Sequence, residues 1–339
     1  MPVVDSAQRY LVSSQHEPEV DDSKRDASNQ TRPRRKVLGC VMREGGPSRT
    51  AAQQASIRAV ESLRPADKRV CYDPLAVVFL DARFQRRYRL CLKSSLQRAL
   101  LIWSVRKDPG GTRAEGVART RYIDEYSQAC ISGGVEQVVI LGAGCDSRAY
   151  RLPAFRKVKV FEVDHPSTQK PKVATLKVVI KGDFPDWVTF VPVDFERDKL
   201  DERLLAAGYR RDLKTLFIWE GVTPYLTAES VDRTLSLVVA ISSRGSMIIF
   251  DYLYASAVEP NSKVRWAKAL QRRAERLGEP LRFGIEGSEI EAFLKARGFS
   301  EVKRITASEL TKICFKGPNS KRQVCPFAEI VHATVGPSQ

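Results

Sequence analysis

The chain has 339 residues, 43% of them hydrophobic and 28% charged, and its 56 Lys and Arg against 40 Asp and Glu leave a net charge of +16. That length suits one large domain or two modest ones, the charged share excludes a wholly disordered chain, and no apolar run reaches the ~18 residues of a membrane span. Seven Cys and three His without metal-ligand spacing exclude a disulfide scaffold and a zinc site and predict reduced thiols, while the surplus of cations permits acidic partners without demonstrating them.

Residues 1–48 are rich in Ser, Asp, Gln, Arg and Pro and carry no apolar period, so a disordered tail is predicted there, set apart from a domain over 49–339. The basic run Thr31 to Lys36 reads either as a nuclear or nucleic-acid signal or as part of a solvated tail. The tail lacks the apolar stretch of a secretory leader, and Glu17, Glu19, Asp21 and Asp22 argue against a transit peptide. Ala51–Leu63 has helical spacing and Pro65 stops it. Asp73-Pro74 then reads as an N-cap and first position of a second helix. Phe84–Val105 reads as a third, with eight cations and no acid between Asp81 and Asp108, and with Leu90, Leu92, Leu96, Leu100, Leu101 and Trp103 supplying a buried stripe.

From residue 115 strands alternate with helices. The strands expected are 135–141, Lys157–Val163, Val188–Val193, Thr215–Trp219 and Ser246–Phe250, with a helix over Ser230–Ile241. A helix at Ser288–Arg297 precedes two more strands, Phe299–Ile305 and Ala328–Val335. Short apolar strands between helices predict an α/β fold with a mostly parallel, doubly wound sheet.

Leu141-Gly142-Ala143-Gly144 follows the first strand, where glycines permit a tight turn and a close ligand approach. Asp164 lies 22 residues after Gly142 at the next strand end, where an acid can bind ribose hydroxyls. Ser147 stands where a third glycine would be, which weakens a dinucleotide reading. Asp194-Phe195 ends the third strand with an acid and an aromatic, suited to an adenine amino group and ring face, and Glu220 ends the fourth. Adenosine recognition without a pyrophosphate loop points to S-adenosylmethionine. Carboxyl ends of parallel strands share one rim. Arg119 or Arg121, a dozen residues before the first strand, can reach back to hold a carboxylate.

The ordered set Arg119–Asp124, Leu141–Arg148, Phe161–Pro166, Val193–Phe195 and Trp219–Leu226 resembles the leucine carboxyl methyltransferase family, and more closely its bacterial branch of S-adenosylmethionine-dependent methyltransferases. The resemblance covers roughly residues 50–336. It implies a Rossmann-like class I methyltransferase with an antiparallel C-terminal strand, a helical lid over 49–115 and a core over 116–339. It also implies S-adenosyl-L-methionine as cofactor, with Arg121 on the methionine carboxylate, Gly142 and Gly144 at the backbone approach, Asp164 on the ribose, Asp194 and Phe195 on the adenine, and Glu220 at the amino-acid end. Arg119 rivals Arg121, and Phe195 stands where the family usually has Leu.

The expected reaction is O-methylation of a small-molecule carboxylate in the cytoplasm. No metal, nucleic acid or membrane partner is expected, and no catalytic residue is assigned. The preference for an anionic acceptor rests on the basic lid segment, because fixed positive charge concentrates anions. His165, Tyr225 and Tyr252 are the side chains near the strand ends that could touch an acceptor, or merely pack. A nicotinamide oxidoreductase and a silent methyltransferase-fold binding protein are the alternatives.

Overall fold

A computed structural model describes residues 48–336 except 109, 181–182, 195–197, 260–261 and 263–264. The expectations for the tail, Ser48 apart, and for Phe195 lie outside the described residues.

Helix α1 (Arg49–Ser62) starts where the Ser48 hydroxyl accepts from the Ala51 N–H at 3.1 Å. Asp73-Pro74 opens no α-helix. The chain makes a 3₁₀ turn over Ala76–Phe79, and Asp73 accepts from Leu75 and Ala76 N–H while pairing with Arg58 at 2.8 Å. The basic segment is two helices, α2 (Ala82–Lys93) and α3 (Ser95–Ser104), capped by Asp81 and Ser94. Its expected buried stripe is corrected. Tyr88, Cys91 and Leu101 are buried, but Leu90, Leu92, Leu96, Leu100 and Trp103 are exposed. The extended backbone of Ser94 (φ −128°, ψ 118°) resets the helical phase, so the apolar positions of the two halves do not share one face.

The remaining elements are α4 (Thr112–Ser132), β1 (Gln137–Leu141), α5 (Arg148–Arg151), β2 (Lys159–Asp164), α6 (Pro166–Ile180), β3 (Val188–Pro192), α7 (Leu200–Ala206), β4 (Thr215–Trp219), α8 (Ala228–Ile241), β5 (Met247–Leu253), α9 (Ala255–Val258), α10 (Arg265–Leu277), α11 (Ile290–Lys295), β6 (Phe299–Ile305), α12 (Ala307–Cys314) and β7 (Ala328–Val335). Among the described residues seven strands form one sheet in the order β3-β2-β1-β4-β5-β7-β6. The first five are parallel, and β7 runs antiparallel to both neighbours. This is the α/β fold class expected.

The strand composition explains the layering. All five residues of β1 and of β4 are buried, as unbroken apolar runs in a parallel sheet covered on both faces should be. Side-chain alternation splits β1 between two cores. Val138 and Ile140 pack with α1, α4 and α6, while Val139 and Leu141 pack with α7, α8 and α11. The strand order reverses between β1 and β4, so a crevice opens beyond their carboxyl ends.

Candidate functional site

The turn after β1 requires glycine. Gly142 has φ +69°, and a Cβ there would lie 2.5 Å from Val222 Cγ2, in the loop after β4. Gly144 has φ +37°, and its N–H donates to Asp164 Oδ2 at 2.5 Å. The other oxygen of Asp164 accepts from His165 N–H at 2.7 Å. Burial raises the Asp164 pKa, and these two donors oppose that rise. Below the turn Lys172 Nζ contacts Ala143 O at 3.3 Å and pairs with buried Glu162 at 2.8 Å, so Glu162 is committed beneath the loop. Asp194, just past β3, is half-buried, and its N–H donates to Asp198 at 2.9 Å.

Glu220, just past β4, accepts from Arg119 Nε at 2.9 Å and pairs with Arg148 at 2.7 Å. Burial alone would raise its pKa, but Arg148, Arg119 and Arg58 outweigh it and hold the group well below the usual carboxylate range. Arg119 Nη1 also binds Glu115 at 2.8 Å and Asp251 at 2.7 Å, and the second Asp251 oxygen accepts from Gly221 N–H at 2.6 Å. Burial pushes the Glu115 carboxyl up to about 7, with Asp251 and Glu220 adding repulsion and Arg119 opposing it. Burial raises Asp251 as well.

Behind this group Arg148 pairs with Asp124 and Asp146, Arg151 with Asp124, and Arg58 with Asp73 and the Cys145 carbonyl. Four guanidiniums therefore meet six carboxylates (Asp73, Glu115, Asp124, Asp146, Glu220 and Asp251), a local surplus of negative charge.

Beside Arg119 lies a cavity. Its polar wall comes from α1 (Thr50, Gln53, Gln54), α4 (Thr112, Glu115, Arg119) and Asp251; its apolar wall comes from Pro224, Leu253 and Leu281, and from Leu270, Ala274 and Leu277 of α10. The 3.6-residue period places those α10 residues on one stripe. No residue of 82–107 lines it.

Several expectations are thereby placed. Gly142, Gly144, Asp164 and Glu220 come together at one rim. Arg121 does not join them, because it is half-exposed and pairs with Glu125 one turn along α4. Residues two positions apart on a helix are turned about 200° from each other, so when Arg119 faces the crevice Arg121 must face away. Tyr225 lines the cavity, and burial pushes its phenol up to about 12. Tyr252 is buried against Glu329, and His165 is exposed against Ser167. The sequence reading missed Glu115, Arg148 and Asp251. Asp251 carried the same signal as Glu220, an acid near a strand's carboxyl end, and Glu115 lies one helical turn before Arg119.

The model of the leucine carboxyl methyltransferase family matches residues 51–239. The chain belongs to the leucine carboxyl methyltransferase family. A "Putative S-adenosyl-L-methionine-dependent methyltransferase" of Mycobacterium avium (strain 104) is 38% identical over 178 residues, covering 50% of this chain. That match spans only 54% of the relative's own length. A protein with a name of the same kind from Bacillus subtilis (strain 168) is 30% identical over 220 residues, covering 64% of this chain and 71% of its own. The crystal structure of a methyltransferase so named from Thermobifida fusca aligns over 86% of this chain and 96% of its own. Its TM-score is 0.51 at 13% identity, a likeness of fold.

Proposed function

We propose that this family member is an S-adenosylmethionine-dependent methyltransferase. The reading is carried by the meeting of the glycine turn, Asp164 and the Arg119–Glu220 pair at the ends of β1, β2 and β4. The residues fit that cofactor. Gly142, at φ +69° and packed against the Val222 side chain, makes the tight turn that holds the Gly144 N–H on Asp164 at the rim. A guanidinium beside a carboxylate matches a zwitterionic amino-acid end, Arg119 taking the carboxylate and Glu220 the ammonium. The local surplus of acid suits a ligand whose sulfonium leaves it net positive. Asp164 would take the ribose hydroxyls, and Asp194 with Phe195 the adenine. Arg121 has no part in this reading, and the family match favours it over a nicotinamide oxidoreductase.

Bound, the cofactor supplies a methyl group already activated by positive charge. The protein's share is alignment, water exclusion and proton handling. The acceptor belongs in the cavity. A carboxylate acceptor was expected from the cations of 82–107, but that segment is absent from the cavity wall. Instead Glu115, Glu220 and Asp251 surround Arg119, the one guanidinium on the wall among the described residues, and together they repel a second anion. A hydroxyl or phenol on an apolar body fits better. Glu115, on the cavity wall beside Arg119, would take the proton of that hydroxyl, and the walls would hold its oxygen toward the methyl group that the bound cofactor would supply. A carboxylate is the second reading, favoured by the presence of Arg119 on the wall.

Calorimetry with S-adenosylhomocysteine tests the first part, and absence of heat and of thermal shift sinks it. Labelled methyl transfer to matched alcohols, phenols and carboxylic acids tests the second. Alkali removes label from methyl esters and not from methyl ethers, so labelled esters alone would reverse the acceptor reading.

A further inference from the structure

Five large apolar side chains of the α2–α3 hairpin are exposed: Leu90 by 50%, Leu92 by 44%, Leu96 by 66%, Leu100 by 49% and Trp103 by 69%. Leu96, Leu100 and Trp103 stand at i, i+4 and i+7, so they form one continuous stripe along α3. Scattered surface apolar residues need no explanation, but an apolar helical stripe does. The hairpin that carries it is basic. Residues 82–107 hold Arg83, Arg86, Arg87, Arg89, Lys93, Arg98, Arg106 and Lys107 and no acid. Beyond α3, Gly110 packs on Trp266, itself 44% exposed, and a Cβ at Gly110 would lie 3.3 Å from that ring. Trp266 opens α10, which exposes Lys268, Arg272 and Arg276 along with Glu275.

We propose that the α2–α3 hairpin is a docking surface for an anionic lipid bilayer, with Leu96, Leu100 and Trp103 entering the headgroup boundary and the flanking cations meeting lipid phosphates and carboxylates. An apolar stripe ending in Trp on α3, together with Arg98 beside it and the Arg and Lys of α2 in the same hairpin, has the composition of an interfacial amphipathic segment. Trp favours the interface itself, where its ring is apolar and its N–H stays wet. A second copy of the chain is the poorer occupant, because a two-fold contact would set one acid-free basic hairpin against another. No helix among the described residues is long and apolar enough to cross a membrane, so this is surface docking. It revises the expectation of no membrane partner and is independent of the methyltransferase reading.

The test is co-sedimentation of the full chain with phosphatidylcholine vesicles, with and without phosphatidylserine. Binding is expected only with phosphatidylserine, with a blue shift of Trp fluorescence, and is lost at high salt. Arg83→Glu with Lys93→Glu should weaken it about tenfold or more. Trp103→Ala with Leu96→Ser should abolish most of the blue shift while leaving a salt-sensitive residue of binding. Unchanged melting temperatures confirm that these exposed substitutions leave the fold intact. Arg244→Glu with Lys303→Glu, exposed outside the hairpin, should leave binding as it was. Equal losses from both pairs would show attraction by net charge alone and overturn the proposal. So would failure to bind anionic vesicles at low salt, or a stable dimer that Trp103→Ala dissociates.

Discussion

Replacing Glu115 by Gln isolates the buried carboxyl on which proton transfer is proposed to depend. Its pKa rises from an ordinary 4.5 to about 7, first because it is buried and then because Asp251 and Glu220 stand nearby. An acid with a raised folded-state pKa binds its proton more tightly folded than unfolded. Its ionised form therefore destabilises the fold above about 7, and the loss is recovered as pH falls from about 7 towards 4.5. The difference between those values, at about 1.36 kcal/mol per pH unit, comes to roughly 3 kcal/mol at about pH 8. At about 2 °C per kcal/mol for a chain of this size, that is roughly 6 °C in melting temperature. Gln keeps an oxygen for Arg119 and cannot ionise. The variant should therefore melt several degrees higher than the wild type at about pH 8, and the gap should close by about pH 5. His332 acts in the opposite sense. Burial lowers its pKa from 6.5 to about 4, so stability is lost as pH falls through that window. Both proteins share that loss, so the difference in melting temperature between them is the quantity to read. A gap that stays constant with pH, or a variant less stable at high pH, would refute the assignment of the titrating carboxyl. If the acceptor is a hydroxyl, kcat should also drop by about 10²–10⁴ and the pH–rate limb near 7 should vanish.

Asp164→Ala removes the acceptor of two backbone N–H groups and the proposed ribose contact. S-adenosylhomocysteine should bind about tenfold or more weakly by calorimetry, and unchanged affinity would dismiss Asp164, with Glu162 no substitute because it is held by Lys172. Gly142→Ala forces a side chain into φ +69° and to within 2.5 Å of Val222 Cγ2. Its loss of stability, roughly 1–2 kcal/mol from backbone conformation alone, should be partly rescued by Val222→Ala in thermal melts, which would fail if the loop yields freely. Arg119→Met leaves Glu115, Glu220 and Asp251 without a shared counter-ion. It should cost about 3–5 kcal/mol, read as a fall of roughly 6–10 °C that shrinks on mild acidification; an unchanged melt would show the pairs to be weak.

Much of the fold was legible because a buried parallel strand writes itself as a short unbroken apolar run. Thr215–Trp219 is such a run with the bounds expected; the antiparallel strands Phe299–Ile305 and Ala328–Val335 also have the bounds expected, though not that composition. Helices were less legible where their apolar stripe serves a cavity rather than a core. Helix α10 has five basic residues over Arg265–Leu277 and offers mainly Ala267, Leu270, Ala274 and Leu277 inward, which reads as a polar stretch. The α2–α3 hairpin misled in the other direction, since its apolar residues obey helical spacing and still face water. Periodicity reports that a stripe exists and not what covers it.

The site was legible to the depth of single residues at strand ends and no further. Gly142, Asp164 and Glu220 could be named because each sits where β1, β2 or β4 stops. The choice between Arg119 and Arg121 could not be made, because it depends on how α4 is rotated about its axis. That rotation is fixed by packing of Ala114, Val117, Ala118 and Ile123 in the core. Charge was the hardest signal to place. Eight cations in 82–107 were the ground for expecting an anionic acceptor, yet none of them lines the cavity, because charge acts through local distance and burial. Among the described residues the charged groups on the cavity wall are Glu115, Asp251 and Arg119, with Glu220 pairing to Arg119 behind them, assembled from α4, the end of β4 and β5 across more than 130 residues of sequence. Net composition cannot anticipate such an assembly. Its consequence is chemical: burial among neighbouring acids raises the Glu115 carboxyl to about 7, where its ionised form can accept a proton, a base that a methyl ester synthesis would not need and an ether synthesis would.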